Sequence, residues 1–338
     1  MGDDSLKVNK IFLYTMTAGL GDSLIMGDLM HKIEKIVPDS RCVMIHRSNP
    51  HINIWTEDRD RDRFYDIYKL AEVGSLIKQL RNYRKSGVVV FALQMAPGSY
   101  QGFFLHALLK RLRAVDHIVD FNLINADIVI PPEGNYILEI HVNQIKRLLK
   151  ISSIPSEIFK LTLPFSTGNV EVKSDVVGIH PWSRRGGVSF TWEERKWLAI
   201  MTALLERKKK VVIFGKDDRF DIFKQWIMQE LPSELASDVT FAPSQSVEHM
   251  VEQIASFNSM VSVNSATVHI GHALNKRMVI LNGPSLDLWI PKGKEIVSVY
   301  DTQAKYSGND SVSNNPDFPQ VRRIKVEDVL EGMQKVID

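Results

Sequence analysis

Four stretches of this 338-residue chain hold side chains whose types and spacing suit chemistry. The first is Gly19-Leu20-Gly21-Asp22, between an apolar run and a helical one. Its glycines allow a tight turn and close approach by a ligand. A carboxylate there could cap the helix, since Asp is a favoured N-cap, or face a ligand as a general base. The second is Asp175 to Gly187, an apolar strand ending in His180-Pro181-Trp182-Ser183-Arg184-Arg185-Gly186-Gly187, with a helix expected from Thr191 to Glu206. A strand leaving through a glycine-containing loop into a helix start offers unpaired amides and the positive dipole end to phosphate, and the arginines add charge. The third is Phe214-Gly215-Lys216-Asp217-Asp218, whose aspartates either begin a helix or hydrogen-bond a ribose. The fourth is Val263-Asn264-Ser265-Ala266-Thr267-Val268-His269, another strand end opening a helix, where Asn264 and Ser265 can cap and spare amides can receive phosphate.

Metal and dinucleotide chemistry have weaker footing. His269 and His272 stand at i and i+3, one edge of a metal site with no third ligand near. Asp58 and Asp60 form a D-x-D pair, but arginines interleave along residues 57–63 and would oppose a cation. The third glycine of a G-x-G-x-x-G fingerprint falls on Leu24. Two basic clusters, Lys78/Arg81/Arg84/Lys85 and Lys110/Arg111/Arg113, are either solvated helix ends or a surface for an anionic acceptor or lipid headgroups.

These stretches need elements to position them. A chain of 338 residues has room for two domains, and a net charge of +2 is too mild to point to nucleic acid. A lone cysteine, Cys42, excludes an internal disulfide and suits a strand core better than a nucleophile. No apolar run approaches membrane-span length, and the N-terminus lacks a signal-peptide pattern. A cytoplasmic protein is expected, with at most peripheral contact at the inner membrane surface. Strands are expected at Lys10–Tyr14, Arg41–His46, Val88–Leu93, Val115–Val119 and Ala126–Ile130, alternating with helices at Ser23–Ile36, Val73–Arg84, Phe103–Leu112 and Tyr136–Lys150. Residues 155–174, rich in Pro, Ser, Thr and Gly, read as the passage between domains, with a strand-like piece at Phe159–Leu163. The alternation restarts with strands at Val176–Ile179, Lys210–Phe214, Val239–Phe241, Ser259–Val263 and Arg277–Leu281. Helices follow at Arg219–Glu230, Val247–Ser256 and Thr267–Leu274, and one at Val326–Ile337 closes the chain. The fold class expected is α/β: two doubly wound, Rossmann-like domains, at 1–165 and 175–325, facing a cleft, then a terminal helix at 326–338.

Taken in order, these segments resemble glycosyltransferase family 9, the ADP-heptose:lipopolysaccharide heptosyltransferases. Gly19 to Leu24 looks like the family's N-terminal glycine loop with its aspartate, and Phe91-Ala92-Leu93-Gln94 its strand end in Leu-Gln. His141–Leu149 is similar to the helix closing the first domain, and Gly178-Ile179-His180-Pro181 to the opening of the second. Ser262–Leu274 resembles the segment that clasps the donor, and Gly283-Pro284 the loop after it. The resemblance implies a GT-B fold with the acceptor on the first domain and a nucleotide-diphosphate sugar on the second. It implies inverting transfer with no metal and no cofactor beyond that donor, ADP-heptose in the family. Asp22 then becomes the base, with Gly19, Gly21 and Gln94 beside the acceptor. Ser183, Arg184, Arg185, Gly215, Ser265, Ala266, Thr267 and His269 gather around the diphosphate, Asp217 or Asp218 at the ribose, Gln245 and Ser246 at the base, and Asn264 at the sugar. The acceptor implied is a glycan or lipid-linked saccharide of lipopolysaccharide or surface-glycan assembly. The chain departs from the family pattern at Asn264, Ala266 and Phe190, where aspartate, glycine and lysine are usual, which predicts a diverged donor or acceptor. Two rival activities suit the same architecture: a nucleotide-sugar epimerase, and a non-catalytic binding relative.

Overall fold

The computed structural model describes residues 8–15, 19–55, 63–93, 100–121, 126–183, 190–283, 287–305 and 317–337. The chain divides into two units, Met1–Pro164 and Phe165–Asp338. The first is built on strands β1 (Lys10–Thr15), β2 (Ser40–His46), β3 (Phe64–Asp66), β4 (Val89–Leu93), β5 (His117–Asp120) and β6 (Ile128–Val129). All pair in parallel in the order β3-β2-β1-β4-β5-β6, with helices α1 (Leu20–Ile36), α2 (Leu70–Lys85), α3 (Tyr100–Arg111) and α4 (Ile137–Leu148) between them.

The second unit repeats the plan. Its strands are β7 (Lys173–His180), β8 (Lys210–Gly215), β9 (Val239–Pro243), β10 (Phe257–Val263), β11 (Arg277–Asn282) and β12 (Ile296–Tyr300), parallel in the order β12-β11-β10-β7-β8-β9. Helices α5 (Glu194–Glu206), α6 (Phe220–Glu230), α7 (Val247–Ser256), α8 (Ala266–Ala273) and α9 (Val326–Val336) complete it.

Central strands of parallel sheets are covered on both faces and so read as continuous apolar runs. Ile11 to Tyr14 on β1 are all fully buried. Ile11 and Leu13 face Leu76, Leu80 and Leu109 of α2 and α3. On β7, Val177 and Ile179 meet Trp197, Ile200 and Leu204 of α5, and the same core takes in Val329, Met333 and Val336 of α9. The terminal helix is therefore part of the second unit's core. Cys42 is fully buried on β2, and burial pushes its thiol up, as suits a core side chain.

The structure corrects several sequence expectations. Helix α1 begins at Leu20 rather than Ser23, and α5 at Glu194 rather than Thr191. Strands β3 and β12 went unseen in the sequence. Phe159–Leu163 is no strand: Ser156–Phe159 is a 3-10 turn followed by irregular chain. Its backbone groups find partners on α1 instead. Thr162 N–H donates to Asp28 Oδ2 at 3.0 Å, and Lys32 Nζ donates both to Asp28 Oδ2 and to the Lys160 carbonyl. Burial raises the Asp28 carboxyl and lowers the Lys32 ammonium, and each offsets this for the other. No described helix is long and apolar enough to cross a membrane.

Lys32→Ala leaves the Asp28 charge buried and unpaired, and should cost the first unit about 3–5 kcal/mol in urea unfolding. A second expectation concerns acid. Burial lowers His106 and His180 to about 4, and burial with neighbouring His272 lowers His269 to about 3. Between pH 6.5 and these values the unfolded chain binds protons that the folded chain refuses. Stability should therefore fall as pH drops through that window, by about 1.4 kcal/mol per pH unit for each histidine. Urea midpoints measured across the window check this, and a flat profile contradicts it.

Candidate functional site

In the second sheet the connections after β7 run toward β8 and β9, while those after β10 run the other way, toward β11 and β12. The crevice beyond the carboxyl ends of β7 and β10 is thus the topological switch point, where open α/β sheets bind ligands. His180 is the last residue of β7, and β10 runs through Asn264 directly into α8, with Ser265 at its N-cap. The Ser265 side chain makes no cap bond to a backbone amide. Its hydroxyl lies 2.8 Å from Thr267 Oγ1 and 3.4 Å from His180 Nδ1, and Thr267 Oγ1 is 2.8 Å from Ser262 Oγ. A chain of hydroxyls therefore lines the α8 start, whose first turn holds no acidic residue. An anion there meets amides, dipole and hydroxyls together.

The start of α5 differs. Its N-cap is Glu193 and its first turn holds Glu194, both exposed. Those carboxylates repel an anion, so the α5 start itself suits phosphate less well than the α8 start does. Ser183 is buried at the end of β7's extension, while Arg184 and Arg185 lie outside the described residues.

Gly215 ends β8 at φ +112°, and a Cβ there would lie 2.7 Å from His180 Nε2. Only glycine admits both that backbone and that ring. The Gly215 N–H donates to Ser244 Oγ at 3.1 Å, and Ser244 N–H donates to the Gly215 carbonyl at 2.8 Å, which ties the turn to the end of β9. Asp217 takes the helix-start arrangement: its carboxylate accepts from Arg219 N–H at 3.0 Å and from the Arg219 guanidinium at 2.6 and 2.8 Å. Burial raises its carboxyl, and the bonds from Arg219 outweigh this, so the net shift is down. Asp218 is exposed beside it. Ser246 caps α7, accepting from His249 N–H at 3.0 Å, and Gln245 N–H donates to His249 Nδ1 at 3.3 Å. His269 sits buried one turn into α8. Among the described residues no three His, Cys, Asp or Glu gather to hold a metal, and Asp58 and Asp60 fall outside them.

In the first unit the corresponding switch point lies beyond β1 and β4. Gly19, half-buried like Gly21, is the N-cap of α1, so Asp22 stands third in the helix; the N-cap reading of Asp22 is corrected. A Cβ on Gly19 would lie 2.8 Å from Asp22 Oδ2. The half-buried carboxylate thus folds back over the helix start, where the dipole favours negative charge. Ser23 Oγ donates to the Gly19 carbonyl at 2.9 Å and accepts from Asn49 Nδ2 at 2.8 Å, fixing this turn to the chain after β2. Gln94 lies outside the described residues. Parts of both basic clusters are used internally: Arg81 bonds the Leu112 carbonyl, Arg84 pairs with Asp116, and Lys110 with Asp127.

Sequence reasoning did not single out Asn282, whose Oδ1 accepts from Asn264 Nδ2 at 3.1 Å, or Tyr300, whose hydroxyl donates to Asp287. The one local signal was a polar residue, Asn282, directly after the apolar run Met278–Leu281 of β11.

No curated protein matches the sequence. The family described as glycosyltransferase family 9 (heptosyltransferase) matches residues 144–323, just over half of the chain. Among solved structures, a glycosyl transferase family 9 protein from Veillonella parvula is similar at 12% identity, covering 98% of both chains with a TM-score of 0.66. E. coli ADP-heptose lps heptosyltransferase II is similar at 16% identity, over 96% of this chain and 98% of that one, with a TM-score of 0.59. E. coli heptosyltransferase WaaC, solved with ADP-2-deoxy-2-fluoro heptose, is similar at 13% identity over 96% and 99%, with a TM-score of 0.60. At such identities the likeness is one of fold, the GT-B class of two doubly wound α/β units. With the family match spanning most of the second unit, the chain belongs to glycosyltransferase family 9.

Proposed function

We propose that this glycosyltransferase moves a heptose or related sugar, with inversion and without a metal, from a nucleoside diphosphate to a hydroxyl of a glycan or lipid-linked saccharide. Residues 175–325, with α9 packed into the same core, hold the donor, and residues 1–165 hold the acceptor. The observation that carries this is the start of α8 at the β7/β10 switch point, free of acid in its first turn and lined by Ser265, Thr267 and His180. The diphosphate lies against the amides near Ala266 and Thr267 and the Ser265 hydroxyl, with Ser183, Arg184 and Arg185 adding donors and charge, and Gly215 and His269 beside them. Asp217 or Asp218 takes the ribose, Gln245 and Ser246 the base, and Asn264 the sugar. Because E. coli WaaC is solved with ADP and with an ADP-heptose analogue, ADP-sugars are the first donors to test.

In this mechanism Asp22 accepts the proton of the attacking hydroxyl, held near Gly19, Gly21 and Gln94. The hydroxyl oxygen bonds to the anomeric carbon as the bond to the diphosphate breaks, and that electron pair leaves on the phosphate oxygen. The charge that builds there is met by preorganised donors at the α8 start. The setting is lipopolysaccharide or surface-glycan assembly, in the cytoplasm or against the inner membrane surface.

Asp22→Asn should lower kcat by about 10²–10⁴ while leaving nucleoside diphosphate affinity within about twofold. Single-turnover assays and calorimetry separate the two effects. Wild-type turnover in the variant contradicts the assignment of the base.

A further inference from the structure

Successive residues of β1 face opposite sides of the first sheet. Leu13 joins the core under α2 and α3. Tyr14 projects to the other side, where its ring meets His141 of α4 edge-on, with centroids 5.3 Å apart. The His141 ring also lies 5.7 Å from that of Phe121. Gln144 follows His141 by three positions, so both stand on one stripe of α4. Tyr14 and His141 are 0% exposed, Gln144 and Phe121 1%. A hydroxyl, an imidazole and a carboxamide are thus closed inside the first unit, at the end of the strand that leads to Gly19 and Asp22.

Burial raises the Tyr14 hydroxyl, which stays protonated and can both donate and accept. No protein group among the described residues lies within hydrogen-bonding reach of that hydroxyl, or of either end of the Gln144 amide. Buried polar groups are almost always partnered, by protein or by ordered water. Left dry, each lowers the ratio of folded to unfolded chain by about 5- to 150-fold. Such groups compound, whereas immobilising one water costs about 30-fold at most. Magnitude therefore favours water. A buried water makes about three hydrogen bonds, and the Tyr14 hydroxyl with the two ends of the Gln144 amide supplies groups of the right kind. Both side chains are uncharged, which suits a neutral ligand, since an ion would gain no counter-charge from them.

We propose that Tyr14 and Gln144 form an internal hydration site between β1 and α4, with bound water bridging the hydroxyl and the amide beside the His141 ring. The site is independent of the donor and acceptor groups assigned above. Its water acts as a structural ligand, joining the end of the strand that leads to Asp22 to a helix far along the chain.

Two measurements on the full chain test this. In water-selective NOE and ROE spectra, the Gln144 side-chain amide should show direct cross-peaks to water with the sign of a long-lived site, and Tyr14→Phe should weaken them. In urea unfolding of the first unit, Tyr14→Phe and Gln144→Met, both close to isosteric, should each lower the folded-to-unfolded ratio about five- to thirtyfold. Each strands the groups that the water had joined. The double variant should lose less than the product of the two, because the water leaves once both partners are gone. A dry site predicts the opposite sign, with Tyr14→Phe raising the ratio by removing an unsatisfied hydroxyl. That rise, full additivity, or no water cross-peak in the wild type overturns the proposal. A direct Tyr14–Gln144 bond would couple the two variants as well, but it gives no water cross-peak and so overturns it too.

Discussion

A parallel sheet wound with right-handed connections covers both of its faces with helices, and its polar backbone ends emerge only at the strand termini. Such a sheet opens a crevice where neighbouring strands send their connections in opposite directions. In the second unit that place is fixed by the pairing of β7 with β10, and a cluster of polar side chains collects there. His180, Ser262, Asn264, Ser265 and Thr267 all belong to the ends of these two strands or to the helix that follows one of them. The apolar core below, with Trp197 and the α9 side chains on one face, keeps these groups at a single level.

Helix starts are the second constraint, and the chain uses three of them differently. The α8 start holds hydroxyls and no acid, which leaves its dipole to a ligand. The α5 start holds Glu193 and Glu194, which satisfy the dipole from within. The α1 start supplies its own carboxylate, with Gly19 lacking the Cβ that would collide with Asp22. One local geometry thus leaves a helix start open in one place, closes it with carboxylates in another, and holds a carboxylate of its own in a third.

Much of the architecture was legible because apolar runs alternate with amphipathic ones, and the α7 boundaries, Val247–Ser256, were read to the residue. Errors fell where local signals compete. Thr191 and Ser23 look like helix starts, yet the chain begins α5 later and α1 earlier. Strand β3 is only three residues long and follows a charged run, so no periodicity marks it. Phe159–Leu163 has a strand's composition, but its backbone partners are Asp28 and Lys32, far away in sequence. The helix-start residues Asn264 and Ser265 could be read locally. Their orientation could not, since His180, Asn282 and Tyr300 become neighbours only through strand register. The need for glycine at position 215 likewise arises from a histidine on another strand.

The claim at the centre of this account is that a nucleoside diphosphate rests on the α8 start rather than the α5 start. Backbone amide NMR during titration with ADP, GDP and UDP tests it most directly. The account predicts that one of the three shifts the amides of Ser265, Ala266 and Thr267 together with the His180 ring resonances. Shifts confined to Glu193–Arg195, or none in the second unit, would contradict it.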